Sequence, residues 1–91
     1  MNKKSMKIDE TFDLAYKNYQ NNNDNLADNL CKNILKLNPN HFPSIFLLGV
    51  ISVRKKDYDG AKKLFQKVIQ VKPNYLPAYN NLGSVCKEIG E

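Results

Sequence analysis

The 91-residue sequence is short of the residues from which most catalytic and metal sites are built. It contains one histidine and two cysteines, and the cysteines stand far apart, as Cys31 and Cys86, without a CxxC pair. This pattern indicates neither a disulfide framework nor a zinc site. The glycines form no GxGxxG or GxxxxGK[ST] loop, and no Ser, His and Asp set suggests a catalytic triad. The sequence therefore predicts a protein that is not an enzyme and that uses no cofactor or metal.

Long apolar runs are missing as well. No window approaches the ~18 consecutive apolar residues of a membrane helix. The first residues, MNKKSMKIDETF, are basic and lack the apolar core of a secretion signal. We interpret residues 1–7 as a basic N-terminal tail, and we expect a cytoplasmic protein with no membrane partner.

What the sequence does contain is a pattern that returns after 34 residues. LKLNPNHFPSIFLLG, at residues 35–49, reappears as IQVKPNYLPAYNNLG at residues 69–83. A fixed period of this length is typical of a stacked repeat protein. The period predicts a first repeat, a second repeat and the first half of a third, at residues 8–41, 42–75 and 76–91.

Each repeat has the pattern of two helices. In the second repeat, Pro43 suits the first turn of a helix, where the missing N–H would be unpaired anyway. Asp57 can cap the next helix, and Pro73 cannot continue it. The inward positions of that second helix follow the i, i+3, i+4 rule, as Ala61, Leu64, Phe65, Val68 and Ile69. Over the whole chain we predict five helices, at about 8–21, 24–37, 43–55, 58–71 and 77–89.

The second repeat resembles the tetratricopeptide repeat (TPR), a helix-turn-helix unit of 34 residues. Its residues at the hallmark positions of that family are Leu48, Gly49, Tyr58, Ala61, Phe65 and Pro73. The first repeat departs from the pattern at Ala15, Asp24 and Cys31. The resemblance implies an all-α fold, in which helix-turn-helix units stack into an α-solenoid and a right-handed superhelix. It also implies that the first helix of each unit lines a concave face and the second lies outside.

The resemblance places a binding groove on the concave face. The groove positions that we expect to contact a partner are Phe12, Asp13, Tyr16, Tyr19, Phe46, Val50, Val53, Asn80 and Asn81. Most are apolar residues that the core of a repeat does not need. Burying one such side chain stabilises a complex by roughly 1.5–3 kcal/mol, so three or four could support micromolar binding of a protein or peptide. The alternative is that they pack on neighbouring helices or form ordinary exposed apolar surface.

Two TPR subtypes give more specific expectations. The subtype that grips a terminal carboxylate uses Lys, Asn and Arg at helix positions where this chain has Phe12, Tyr16, Leu47, Pro77 and Asn81. We therefore reject carboxylate capture. The stretch AYNNLGSVCKEIGE is similar to the repeats ahead of the catalytic domain in O-linked N-acetylglucosamine transferases, where a ladder of Asn holds the peptide backbone. Asn81 fits that ladder and Asp13 could substitute in it, whereas Leu47 interrupts it. An alternative function is thus the substrate-targeting segment of a glycosyltransferase- or sulfotransferase-like enzyme.

Positive charge is concentrated in the second repeat. Its basic side chains near the turn and on the outer face of the second helix are Arg54, Lys55, Lys56, Lys62, Lys63 and Lys67. Such a stripe could contact nucleic acid or an anionic membrane. However, no aromatic residues interleave with it for base stacking, and lysines are common on a solvated helix face. We predict a solvated surface that binds no nucleic acid.

The last helix predicts a second contact surface. Tyr79, Leu82 and Cys86 lie on a stripe that the second helix of a complete repeat would cover, whereas Ala78 and Val85 point back towards the second repeat. We expect two chains to join through the uncovered stripe as a homodimer. A self-assembling scaffold is therefore the third function that the sequence leaves open.

Overall fold

The computed structural model describes residues 7–91, and over this range it contains five α-helices and no strand. The helices are α1 (Ile8–Gln20), α2 (Asp24–Leu37), α3 (Phe42–Arg54), α4 (Tyr58–Val71) and α5 (Leu76–Ile89). The prediction of an all-α fold is confirmed, and each predicted helix end lies within one residue of the observed one. The predicted basic tail falls, apart from Lys7, outside the described residues.

Asp57 caps α4 as predicted, whereas no side chain caps α2. The Asp57 carboxylate accepts a hydrogen bond from the Gly60 backbone N–H at 3.0 Å. Asn23 precedes α2, but its side chain makes no capping bond. Instead, its amide donates to the side-chain oxygen of Asn18 at 3.2 Å, which ties the turn to the end of α1. Side-chain capping therefore contributes at α4 and not at α2.

The turns of the first and second repeats have the same backbone shape. Asn22, between α1 and α2, has φ 65°, and Lys56, between α3 and α4, has φ 64°. This is the left-handed region, which asparagine enters more readily than other side-chain-bearing residues. In the first repeat, this left-handed conformation is adopted by Asn22, which suits it. In the second repeat it is adopted by Lys56, which suits it less.

Each helix packs against the next, so the helices form a solenoid layer with extents of 50 × 27 × 17 Å. Small residues at the crossings allow the helices to approach closely: Ala15, Ala27 and Ala61 are fully buried. Larger buried side chains fill the space between them, namely Cys31, Ile34, Leu47, Leu48, Ile51, Phe65, Val68 and Val85. The core therefore runs along the solenoid rather than around one centre.

The first helices of the second and third repeats carry glycines with different surroundings. A Cβ atom placed on Gly49 would lie 2.6 Å from Cε1 of Phe65, so the ring of α4 packs directly on the α3 backbone. A Cβ atom on Gly83 would meet nothing within 4 Å. Among the described residues, nothing covers the Gly83 side of α5.

None of the helices between residues 7 and 91 combines the length and the apolar character needed to cross a bilayer. The same range contains no group of three or more His, Cys, Asp or Glu side chains placed to hold a metal ion.

Candidate functional site

A cleft of about 400 Å³ lies between α1 and α3, the helices that are expected to line the concave face. Its walls are Phe12, Tyr16, Tyr19, Pro43, Phe46, Leu47, Val50 and Tyr75. Five predicted groove residues thus lie together here: Phe12, Tyr16, Tyr19, Phe46 and Val50. Every lining side chain is uncharged, so the cleft can accept apolar groups without leaving a buried charge unpaired.

One wall of the cleft is an aromatic row on α1. The Phe12 and Tyr16 ring centroids are 6.5 Å apart, and those of Tyr16 and Tyr19 are 6.0 Å apart. These distances allow favourable ring contacts along the helix. Tyr16 remains 47% exposed, which leaves its ring available to a partner.

Tyr75 closes the cleft from the segment that joins α4 to α5. Its ring contacts Phe46 edge to face, with centroids 5.3 Å apart and an interplanar angle of 88°, and it also contacts Phe42 at 5.0 Å. Tyr75 is not among the residues predicted for the groove. The repeat pattern holds a signal for it, because Tyr75 follows His41 by one period and the Phe12–His41 rings form the corresponding contact at 5.6 Å.

His41 caps α3 beside the cleft. Its Nδ1 accepts a hydrogen bond from the Ser44 backbone N–H at 3.3 Å and lies 2.8 Å from the Ser44 hydroxyl, while Ser44 itself is buried. Burial lowers the pKa of His41, and the nearby Asp9 carboxylate opposes that effect in part. The ring is therefore held in the neutral form that can accept the capping bond.

Arg54 contacts Tyr19, the last ring of the aromatic row. Its guanidinium carbon lies 4.0 Å from the Tyr19 ring centroid, in a cation–π contact. Its Nη1 also donates to the Asp24 carboxylate at 3.0 Å and to the Asn22 side-chain oxygen at 2.8 Å. Because Arg54 ends α3 while its partners lie in the first repeat, these contacts join the two repeats at the aromatic row.

The other predicted groove residues lie outside this cleft. Asp13 lines a neighbouring hollow together with Tyr16. Val53 and Asn81 line a smaller hollow of about 170 Å³ between α3 and α5. Asn80 is exposed and lies in neither hollow. The predicted set is therefore divided over several surfaces rather than brought into one site.

The side-chain amide of Asn81 in α5, which fits an asparagine ladder, is partly engaged within its own helix. The Asn81 amide donates to the Pro77 carbonyl at 2.9 Å. A ladder requires several asparagines that hydrogen-bond along the peptide backbone. A single asparagine, with one of its two N–H donors already bonded to Pro77, cannot provide this.

The residues predicted for self-association differ in exposure. Tyr79 is 45% exposed, although its hydroxyl donates to the Pro73 carbonyl at 2.6 Å. Cys86 is half-buried. Leu82 is partly covered, because its side chain packs in part against the buried cluster of Ala61, Phe65 and Val85, and its role in self-association stays a prediction. A first helix of one repeat also rests on the second helix of the repeat before it, and Leu82 faces partly in that direction.

The predicted basic stripe is interrupted by two ion pairs. Lys62 does not lie free on the outer face, because its Nζ is 2.7 and 2.8 Å from the two Glu91 carboxylate oxygens. This hydrogen bond raises the pKa of Lys62 and lowers that of Glu91. Arg54 is paired with Asp24. Only part of the stripe therefore presents unpaired charge, and the absence of nucleic-acid binding stays a prediction.

Neither Cys31 nor Cys86 lines the cleft, and the surroundings of both thiols lower their reactivity. Cys31 is fully buried, and burial, followed by the Asp28 carboxylate, raises its pKa to about 12. Burial is also the main cause that raises the pKa of Cys86. Both thiols are therefore poor nucleophiles in the folded chain.

Similarity to known proteins covers the repeats. Residues 42–75 match the family model described as tetratricopeptide repeat. Over 91 residues, the whole chain is 28% identical to a UDP-N-acetylglucosamine--peptide N-acetylglucosaminyltransferase of Caenorhabditis elegans, of which it spans 8%. Its fold matches the crystal structure of MamA with a TM-score of 0.86 and 20% identity, over 91% of this chain and 48% of the MamA chain. Repeats of this kind are non-catalytic modules that generally mediate protein–protein interaction.

Proposed function

We propose, from the match of residues 42–75 to the tetratricopeptide-repeat family, that the cleft between α1 and α3 binds a peptide or helix of a partner protein. The observation that carries the proposal is the cleft itself: eight uncharged side chains, five of them aromatic, surround about 400 Å³ on the concave face. We divide the chain into repeats at residues 8–41, 42–75 and 76–91 as part of this proposal.

The exposed aromatic residues give the cleft its capacity to bind. Tyr16 contributes little to the core, because its ring is 47% exposed, and a partner that covers it would bury new apolar surface. Aromatic side chains in such pockets carry much of the affinity of known interfaces. Phe46 has two roles, since its ring also packs on Phe65 with centroids 5.5 Å apart.

A displayed library of random peptides tests the proposal. Peptides selected on the wild-type chain should lose binding to Tyr16→Ser and to the double variant Tyr16→Ala, Phe46→Ala. The single variant is needed because Phe46→Ala also removes core packing. Circular dichroism and a urea melt should show that Tyr16→Ser folds normally.

A matched control uses two highly exposed leucine side chains outside the cleft. Leu37 and Leu76 are 72% and 70% exposed, so Leu37→Ser with Leu76→Ser removes comparable apolar surface without touching the cleft. Selected peptides should bind this control as they bind wild type. If Tyr16→Ser binds the peptides unchanged, or if the control loses them, the cleft is not the binding surface.

A second candidate function is self-assembly through α5. It is supported by the open space beside Gly83 and by the exposed Tyr79 ring on the same helix. Sedimentation at tens of micromolar should then show a dimer that Gly83→Arg disrupts. Gly83 is a better test than Leu82, because a side chain added there meets no core residue.

The control for the dimer is Ser84→Arg, which adds the same charge at an exposed position of the same helix, about 100° around its axis from Gly83. A monomer at that concentration, or a dimer that Gly83→Arg leaves intact, would remove self-assembly from the candidates.

The similarity to the transferase supports a third candidate, in which these repeats position substrates for a catalytic domain elsewhere in a longer polypeptide. The likeness extends over the full chain but over 8% of that enzyme. The gene sequence on both sides of this segment tests the candidate directly, because a transferase domain in the same reading frame is required.

A further inference from the structure

We propose that the cleft selects peptides that carry an arginine, whose guanidinium stacks on the Tyr16 ring and pairs with Asp13 and Glu10. The inference rests on the proposed function, because it assigns a ligand chemistry to the same cleft. Apolar neighbours of the arginine would enter the cleft, while the charged group would lie at its rim.

The rim of the cleft is acidic beside Tyr16. The Tyr16 ring lines the cleft on one side and, on the other, a hollow whose charged side chains are Glu10, Asp13 and Lys17. Two carboxylates against one ammonium leave this hollow negative, in a chain whose net charge is +5. One Glu10 oxygen already accepts the Lys7 backbone N–H at 3.1 Å, which leaves Asp13 as the freer partner. A cationic group is therefore favoured at this rim, and an anionic one is repelled.

The chain itself shows how its aromatic row binds a guanidinium. Arg54 lies over the Tyr19 ring at 4.0 Å and donates to the Asp24 carboxylate at 3.0 Å. Tyr16 is the next ring in the row, with its centroid 6.0 Å from that of Tyr19. Tyr16 with Asp13 thus repeats the ring and carboxylate that hold Arg54, but within residues 7–91 no cation is recorded over the Tyr16 ring.

Arginine fits this arrangement better than lysine. Its planar group can stack on a ring and donate two parallel hydrogen bonds to a carboxylate, whereas an ammonium is a compact and strongly hydrated charge. A cation over an exposed tyrosine with an exposed carboxylate partner is worth a modest preference, of about 3- to 10-fold in affinity.

Four fluorescently labelled decapeptide pools would test the inference. The pools share randomised apolar flanks and differ only in one central residue, which is arginine, citrulline, leucine or glutamate. Citrulline keeps the shape of arginine without its charge. By fluorescence polarisation, the arginine pool should bind about 3- to 10-fold more tightly than the citrulline pool, and the glutamate pool should bind most weakly. Added salt should narrow the difference.

The double variant Asp13→Asn, Glu10→Gln should abolish the preference for arginine, so that it binds the arginine and citrulline pools equally. Glutamine at position 10 can still accept the Lys7 N–H, so the start of α1 is preserved. The control Asp28→Asn, Asp59→Asn makes the same change in net charge on α2 and α4, and it should keep the preference.

The outcomes separate the two proposals. Equal binding of the arginine and citrulline pools overturns this inference but leaves peptide binding in place. A preference that persists in Asp13→Asn, Glu10→Gln also overturns it, because the charge would then be recognised elsewhere. If none of the pools binds, both the inference and the proposed function are contradicted.

Discussion

Gly49 and Gly83 occupy the same position in two successive repeats, but their surroundings differ. Gly49 lies under the ring of Phe65, at a distance that leaves no room for a Cβ atom. Gly83 faces open space, with no atom within 4 Å of the position of a Cβ. The repeat pattern therefore places a glycine at this position in both helices, but the glycine allows close packing only where another helix covers it, as α4 covers Gly49.

The first repeat uses different residues where its two helices come into contact. Ala15 replaces the glycine, and Cys31 stands where the second repeat has Phe65. All three of these residues, and Gly49, are buried. A smaller residue on the second helix thus accompanies a larger one on the first, which keeps the two helices in contact.

The largest expected effect comes from removing the ring that covers Gly49. Phe65→Ala should lower the free energy of unfolding by about 3–5 kcal/mol, because the ring is fully buried and a cavity remains. The equivalent change Cys31→Ala should cost only about 1 kcal/mol, since it removes one atom. Urea melts measure both. Equal losses would show that the two repeats are packed alike.

A second pair of variants should change stability in opposite directions. Gly49→Ala should destabilise the fold, because overpacking costs about 1–3 kcal/mol and outweighs the helix preference of alanine. Gly83→Ala should stabilise it by about 0.5–1 kcal/mol, because alanine favours the helix and meets no neighbour. If thermal melts show that both variants are stabilised or both destabilised, the two glycines do not differ in how closely a neighbouring helix packs on them.

The two turns provide a smaller test. Lys56→Asn should raise the free energy of unfolding by about 0.5–1 kcal/mol, since asparagine tolerates the left-handed conformation that Lys56 adopts. The reverse change, Asn22→Lys, should lower it and should also remove an acceptor from Arg54. Chemical denaturation of both variants checks the prediction, and a neutral or stabilising Asn22→Lys would be inconsistent with it.

The smallest expected effect is a pH dependence at His41. Burial lowers the pKa of His41 below its ordinary value of 6.5, so the unfolded chain takes up the proton first as the pH falls. Its contribution to stability should be complete above about pH 7 and should decline as the pH falls through about 6.5 and below. The variant His41→Asn can still cap α3 but cannot titrate, and it should flatten this part of the profile. An unchanged slope in urea melts would assign the effect to other groups.

The period and the helix signals were sufficient to predict the fold. Pro43, Pro77 and Asp57 mark helix starts by backbone chemistry that is local, so the helix ends could be predicted closely. Tyr75 could not be assigned from helical spacing, because it reaches the cleft from a connecting segment. It is detected only by comparison with His41 in the preceding repeat.

The side-chain surroundings on α5 were harder to predict. The helical pattern predicts Leu82 on the uncovered stripe, yet its side chain packs partly against the α4 residues Ala61 and Phe65. The same pattern predicts Lys62 on a solvated face, yet its ammonium group pairs with the Glu91 carboxylate. In both cases, the contact is made with another segment of the chain, and the pattern within one helix does not show where that segment lies.

The most direct test of the central claim is an amide NMR titration with the tightest peptide selected from the library. If the concave cleft is the binding surface, the largest chemical-shift changes should occur at Tyr16, Tyr19, Phe46, Val50 and Tyr75. Changes centred instead on Tyr79, Gly83 and Cys86 would place the peptide on the open side of α5 and contradict the proposed function.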